Sequence, residues 1–282
     1  MPVAVVTDST AYLPDEPAGR YGLTVVPLTV VIDGVEGREG IEVTAADLAR
    51  ALHRRRGPIS TSRPAPERFA QVYRRLLDAG ASGVVSVHLS AELSGTVAAA
   101  TLAAAEFGDR VSVVDSRSTG MGLGFPALAA GAAAAAGADL TEVRRAALLA
   151  IDRTHTYFYV DTLEFLRRGG RINAAEALLG TALSVKPILQ VTGGTIAVRD
   201  RVRTASRGMA RLVDLAVAAA GAAEVDVAVH HLAAPHRAAE LIDTLRVRLA
   251  GRLRDHHLTE VGAVVGAHAG PGLAGVVVHR RS

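Results

Sequence analysis

The sequence predicts an α/β protein of two domains: a first with a mainly parallel sheet and flanking helices, a second of mixed α/β type. Three observations carry this. Over residues 1–150, strand-length apolar runs alternate with helix-length amphipathic or alanine-rich segments, the pattern of a parallel sheet covered by helices. From residue 151 to 282 the alternation becomes irregular and includes one antiparallel ribbon. The 282 residues are 49% hydrophobic and only 4% aromatic, so the core must be aliphatic and alanine-packed.

The elements follow in order. Strands are expected at Val3–Thr7, Thr24–Ile32, Gly83–Leu89 and Val111–Val114, where β-branched residues cluster between turn formers. Helices are expected at Ala45–Arg55, Pro66–Ala79, Val97–Phe107, Pro126–Ala136 and Leu140–Ala150, the last behind Asp139 as a cap. In the second half a strand at Thr156–Val160 leads to a helix at Asp161–Arg168 that stops at Gly169-Gly170. A helix at Asn173–Leu183 precedes a hairpin, Ile188–Thr192 and Thr195–Val198, turned on Gly193-Gly194. A long helix at Thr204–Ala219, a strand at Val225–His230, a helix at Pro235–Leu249 and a strand at Leu258–Val265 complete the reading. The domain boundary is placed near residue 150, with no linker-like spacer there.

Composition excludes several classes. There is no cysteine, hence no disulfide framework and no thiolate nucleophile. The net charge of +3 comes from 31 basic and 28 acidic residues, and Lys186 is the only lysine. The arginines are scattered among acidic residues and aromatics are scarce, so they read as a solvated surface rather than a nucleic-acid face. The chain opens directly into a strand pattern without a basic and apolar leader, and the cytoplasm is the expected location. Ser118–Ala138 is uncharged for 21 residues but is mostly alanine and glycine, and reads as a buried helix opening near Pro126 rather than a membrane span.

The chemistry concentrates at residues 83–105, GVVSVHLSAELSGTVAAATLAAA. A strand passing through a small turn into a helix builds an anion site, because the first helical N–H groups lack partners and the helix dipole adds positive potential. Ser94, Gly95 and Thr96 occupy that turn. Their alternative role is simple capping of the following helix. There is no P-loop motif, and Lys186 has no glycine-rich lead-in. Gly122–Ala127 fits G-x-G-x-x-A but starts too far past its strand and contains proline. The pairs His230-His231 and His256-His257 are adjacent rather than spaced for metal, so no metal site is expected. Ser94, Asp115 and His268 fall in the chain order of α/β-hydrolases, which leaves a serine-type acyl hydrolase as the alternative function. Residue 92 is glutamate where the nucleophile elbow needs glycine, which argues against it.

Seven segments together resemble the DegV family, which includes the FakB-type fatty-acid-binding proteins of bacteria. They are TDS (7–9), TSRP (61–64), LSGT (93–96), RRGGRI (167–172), VKPIL (185–189), VRT (202–204) and GAHAGPG (266–272). The resemblance implies a long-chain fatty acid held in a tunnel between two α/β domains, with Thr61, Ser94 and His268 around its head group. Ser62, Gly95 and Thr96 add hydroxyl or backbone donors. A buried carboxylate needs such donors, and each buried CH₂ of the tail contributes about 0.8 kcal/mol. The resemblance further implies a non-enzymatic carrier without cofactor that presents the carboxylate to a separate fatty acid kinase for acyl-phosphate formation in phospholipid synthesis. Arg171 and Arg203 are the residues expected to face that kinase. One departure is Ala91, where family members often carry a second serine.

Overall fold

The structure, a computed structural model, describes residues 2–54, 58–172 and 185–281. In chain order its elements begin β1 (Ala4–Asp8), α1 (Asp15–Arg20), β2 (Thr24–Val26), β3 (Thr29–Ile32), β4 (Val35–Arg38), α2 (Ala45–Arg54) and β5 (Ile59–Ser62). Next come α3 (Pro66–Asp78), β6 (Val84–His88), α4 (Thr96–Ala104), β7 (Val111–Asp115), α5 (Met121–Ala135) and α6 (Leu140–Asp152). The remainder is β8 (Thr154–Tyr159), α7 (Glu164–Arg168), β9 (Lys186–Thr192), β10 (Thr195–Val202), α8 (Ala205–Ala220), β11 (Val225–His231), α9 (Pro235–Arg248), β12 (Leu253–Glu260), α10 (Ala263–Ala269) and β13 (Ala274–Arg280).

The α/β class is as the pattern predicts. A four-stranded sheet of order β2-β1-β6-β7 is parallel throughout. Every residue of β6 is buried, as a central parallel strand covered on both faces requires. Phe69 and Tyr73 of α3 and Ala99, Ala100 and Ala103 of α4 pack on Val6, Val84 and Val111, so small alanines bring α4 close to the strands. A six-stranded sheet has the order β10-β9-β8-β13-β11-β12, antiparallel except for the parallel β11–β12 pair. Leu212, Leu215 and Ala216 of α8 and Leu241 and Leu245 of α9 fill its core with Val227, Val229, Val276 and Val278. A third sheet has the order β4-β3-β5.

The residues group into two compact units, one of 1–29 and 61–152, the other of 30–60 and 153–282. Segment 30–60, which a single cut near residue 150 leaves in the first half, thus packs with the second. Two contacts show why. The buried Glu39 carboxylate accepts the Val264 N–H of α10 at 2.7 Å, and Leu48 of α2 lies against Gly266.

Several boundaries differ from the sequence reading. The run Thr24–Ile32 is interrupted at Pro27-Leu28, because proline cannot donate to a ladder. The α-helix α4 gives way after Ala104 to a 3₁₀ stretch, Ala105–Arg110. Helix α5 starts at Met121 rather than Pro126, which lies inside it. The predicted strand Leu258–Val265 is two elements: β12 ends at Glu260, and Val261–Val265 leads into α10. There the Glu39 carboxylate satisfies a first-turn N–H, and this tertiary contact overrides the β-branched preference of Val264 and Val265. The predicted helix Asn173–Leu183 lies outside the described residues. Helix α7 starts at Glu164, and the β9–β10 hairpin turns on Gly193-Gly194 as expected.

Candidate functional site

In the first unit, the parallel strands β1 and β6 end side by side at a buried polar row. The Asp8 carboxylate is completely inaccessible and accepts four donors. These are Thr10 N–H (3.1 Å) and hydroxyl (2.6 Å), Leu89 N–H (2.9 Å) and His88 Nδ1 (3.0 Å). His88 Nε2 meets Ser86 Oγ at 2.7 Å, and the Tyr73 hydroxyl donates to Ser86 Oγ at 2.9 Å. With Tyr73 donating to Ser86, the serine hydrogen is directed to Nε2 and the imidazole N–H to Asp8, so every member is satisfied. Burial raises the Tyr73 phenol above its ordinary range. The row fixes Leu89 and Thr10, where the chain leaves β6 and β1.

Beyond Leu89 the turn closes on itself. Leu93 and Ser94 N–H groups both bond to Ser90 O at 3.0 Å, and Glu92 N–H donates to Ser90 Oγ. Asp115 Oδ1 accepts Arg117 N–H (2.8 Å) and Ala91 N–H (3.3 Å), tying this turn to the one after β7. Gly95 is the N-cap of α4 and makes no side-chain cap bond. Ser94 Oγ lies 2.9 Å from Thr96 Oγ1. The two hydroxyls are therefore paired at the helix start, not spent on the cap position. Ser94 is half-buried and Thr96 fully buried. Thr61 and Ser62 lie on β5 rather than in a turn, half-buried and exposed respectively. From the same TSRP segment the exposed Arg63 reaches Gly95, where a Cβ would stand 2.8 Å from its guanidinium nitrogen. A cation thus accompanies the unpaired N–H groups of α4, a placement with no signal in the sequence pattern.

In the second unit, His268 lies on the last turn of α10 and is half-buried. Burial first, and the Arg171 charge second, push its imidazole down to about 4. Helix α7 ends in a Schellman arrangement: Arg171 N–H bonds to Leu166 O (2.9 Å) and Gly170 N–H to Arg167 O (3.0 Å), with Gly170 at φ 69°. Gly169 has a different task. His268 Nδ1 sits so near its Cα that any Cβ there would collide with the ring. The Arg171 side chain is half-buried and its guanidinium donates to Gly169 O, rather than standing free at the helix end. Arg203 is exposed between β10 and α8. Lys186 of VKPIL donates to Asp161 O (2.9 Å), Tyr159 donates to Asp161 Oδ1 (2.6 Å), and Arg237 donates to Gly272 O (2.7 Å). Arg237 also pairs with Asp161 Oδ2 at 3.7 Å, so Asp161 and Arg237 link the VKPIL and GPG segments.

The hydrolase candidates are engaged elsewhere: Asp115 Oδ1 binds backbone N–H groups, and Ser94 is paired with Thr96. The serine–histidine–aspartate row of the first unit is Ser86–His88–Asp8, none of it accessible to solvent. Among the described residues no group of three or more His, Cys, Asp or Glu side chains could hold a metal ion, and no helix is long and apolar enough to cross a membrane.

The model of the DegV family, described as a family of uncharacterised protein, matches residues 2–281. The chain belongs to the DegV family. It is 57% identical over 279 residues to a DegV domain-containing protein of Streptomyces coelicolor, covering 99% of each chain. Among solved DegV structures it is similar to a protein from Thermus thermophilus described by its fatty-acid binding. That match has a TM-score of 0.93, 35% identity and 100% coverage of both chains. A DegV fatty-acid-binding protein from Bacillus subtilis matches at a TM-score of 0.89 with 30% identity, again covering both chains completely.

Proposed function

We propose that this chain binds one long-chain fatty acid non-covalently and presents its carboxylate to a fatty acid kinase, which forms the acyl phosphate. The observation that carries the binding is the similarity across the whole chain to DegV proteins described as fatty-acid binders. The residues are chemically suited to it. Ser94, Thr96 and Thr61 supply hydroxyls, Gly95 opens a helix start with unpaired N–H groups, and His268 supplies an imidazole N–H. Ser62 stands beside Thr61 as a further donor. The alanine-, leucine- and valine-rich helices supply apolar wall material. Arg171 and Arg203 are the residues assigned to the kinase, Arg203 exposed after β10.

Native mass spectrometry of freshly purified protein tests the ligand: one fatty acid per chain, lost on activation, is expected. A protein that carries no lipid and takes up no oleate on titration overturns the reading. Ser94→Ala is expected to weaken oleate binding by roughly 1–3 kcal/mol, the cost of leaving a charged acceptor short of one donor. A fluorophosphonate probe that labels Ser94 stoichiometrically would favour the hydrolase instead. Carrier function is read by acyl-phosphate formation with a cognate kinase and ATP, which Arg203→Ala is expected to lower without changing oleate affinity.

A further inference from the structure

We propose that the six-stranded sheet carries a phosphate-binding site toward the start of β8, where Arg280 and Arg199 supply the charge and Tyr157 a hydroxyl donor. The site lies at the opposite end of β8 from Asp161 and α7, and it is independent of the fatty-acid reading. Register places the groups on one face. Tyr157 pairs with Val276 and His155 with Val278, and Arg280 stands two residues beyond Val278. All three therefore project as Val276 and Val278 do, to the face that α8 and α9 cover. On the other flank Tyr157 pairs with Gln190 of β9, which pairs with Ala197 of β10. Just beyond, Val198 faces Leu189 and Asp200 faces Ile188, which leaves Arg199 as the extra residue of a bulge. A bulge re-aims a side chain, and this one puts an exposed guanidinium at the rim of the half-buried group.

Positive charge is what the site has in excess. Arg280 Nη2 lies 2.8 Å from His155 Nε2 and, having no acceptor of its own, donates to it. Burial first, and the Arg280 charge second, hold that imidazole below its ordinary range. It is a neutral acceptor that orients the guanidinium without neutralising it. The acids on neighbouring strands are matched to other arginines: Asp200 Oδ2 takes Arg211 Nε at 2.6 Å, and Asp226 Oδ1 takes Arg281 Nη2 at 2.8 Å. Arg280 and Arg199 are left without an ion-pair partner among the described residues. Arg280 Nε is buried and meets no hydrogen-bond partner among them. A half-buried guanidinium with an idle donor is unfavourable until an anion completes it. Burial raises the Tyr157 phenol against the pull of both guanidinium charges, so its hydroxyl stays a donor beside them. Two cationic forks and a phenol suit a phosphate dianion, whose charge matches both guanidinium groups and whose oxygens accept from all three donors.

NMR titration of the full chain with inorganic phosphate, at an ionic strength held with chloride, reads the site through the side-chain signals of His155 and Tyr157. A saturating shift of both is expected, with His268 unmoved. Arg280→Gln should weaken phosphate binding roughly ten- to hundredfold, the range for hydrogen bonds to a charged group, and the exposed Arg199→Gln about tenfold. Arg201→Gln, two residues along β10 from Arg199 and exposed, removes the same charge from the opposite face of Asp200. It should change affinity by less than about twofold, because a solvent-exposed charge outside the site is screened. Acetate, with one charge, should bind at least about tenfold more weakly than phosphate. Glycerol 3-phosphate separates two sources of the group: tighter binding than phosphate assigns an ester as occupant, and equal or weaker binding assigns the free ion. Shifts that never saturate, that chloride reproduces, or that fall on His268 alone overturn the site. Equal losses in Arg199→Gln and Arg201→Gln overturn it too, since general positive charge would then explain the binding. If Arg280→Gln fails to fold, the Arg199→Gln and Arg201→Gln pair decides alone.

Discussion

The two units hold their candidate groups by opposite means. In the first, the turn bearing Ser94 is anchored by polar bonds: Asp8 alone accepts four donors, and His88, Ser86 and Tyr73 extend the row into the interior. In the second, the helix bearing His268 is located largely by shape: Gly266 is packed against Leu48 and Leu232, and the His268 ring lies against Gly169. A hydrogen-bonded anchor is directional and fails when one acceptor is removed, because the orphaned donors stay buried. A steric anchor tolerates loss of a neighbour and fails when volume is added.

The largest effect should come from breaking the polar anchor. Asp8→Ala strands His88 Nδ1–H, Leu89 N–H and both Thr10 donors in a fully buried site, and should cost about 3–5 kcal/mol of unfolding free energy. Urea denaturation reads the loss, and hydrogen exchange should show amides of 61–152 deprotected before those of 185–281. Equal deprotection of both units would erase the contrast.

Acid is the lever on the other side. In the second unit, burial depresses His230, His268 and His279 each to about 4, below the ordinary histidine value of 6.5. The unfolded chain therefore takes up protons between pH 6.5 and 4 that the folded chain refuses. Stability is full above about 6.5 and falls as the pH drops toward 4, by on the order of 1–3 kcal/mol per histidine. Denaturation midpoints at pH 7.5, 6 and 5 should decline in that order, and a flat profile would show the three rings taking up protons as readily in the folded chain as in the unfolded one.

Added volume is the next test. Gly266→Ala places a Cβ 2.5 Å from Leu48 Cδ2 and 3.0 Å from Leu232 Cδ2, which must shift. The expected cost is about 1–3 kcal/mol, seen as a lower melting temperature, with the first unit's exchange pattern unchanged. The smallest effect belongs to Tyr73→Phe, which removes the outermost donor of the polar row and leaves Ser86 bonded to His88. About 1 kcal/mol is expected by urea titration. A loss as large as that of Asp8→Ala would mean the row acts as one unit rather than link by link.

Much of this was legible in the residues, for physical reasons that also explain what was not. Periodicity and turn chemistry report local conformation, so β1, β6, β7, α3 and α6 fall where the pattern puts them, within a residue or two, and the hairpin turns on Gly193-Gly194 although β10 runs on to Val202. Periodicity does not report which neighbour a segment packs on. Segment 30–60 reads as part of the first half and packs with the second, and Val261–Val265 reads as strand until Glu39 supplies a partner for a helix start. At the candidate site, Ser94, Thr96 and His268 stand out because hydroxyls and a histidine amid small residues are conspicuous. Asp8 and His88 do not stand out. Eighty positions separate them, and each lies at the end of a mainly apolar strand. The inward turn of Arg171 was equally hidden, since an arginine after a helix-ending glycine pair reads as surface whichever way its side chain folds.

The strand order of the second unit bears on how the chain is made. β13 is the last of the described strands, yet it lies in the middle of the six-stranded sheet, with β8 on one side and β11 on the other. As the polypeptide leaves the ribosome, β8, β9 and β10 can pair as one ribbon and β11 and β12 as another, but nothing joins the ribbons until residues 274–280 arrive. Until then β8 and β11 each present an open edge, the kind of edge that recruits other strands. The six-stranded sheet therefore closes after synthesis has passed β13, and the hydrophobic surfaces of α8 and α9 have no complete sheet to cover before that moment.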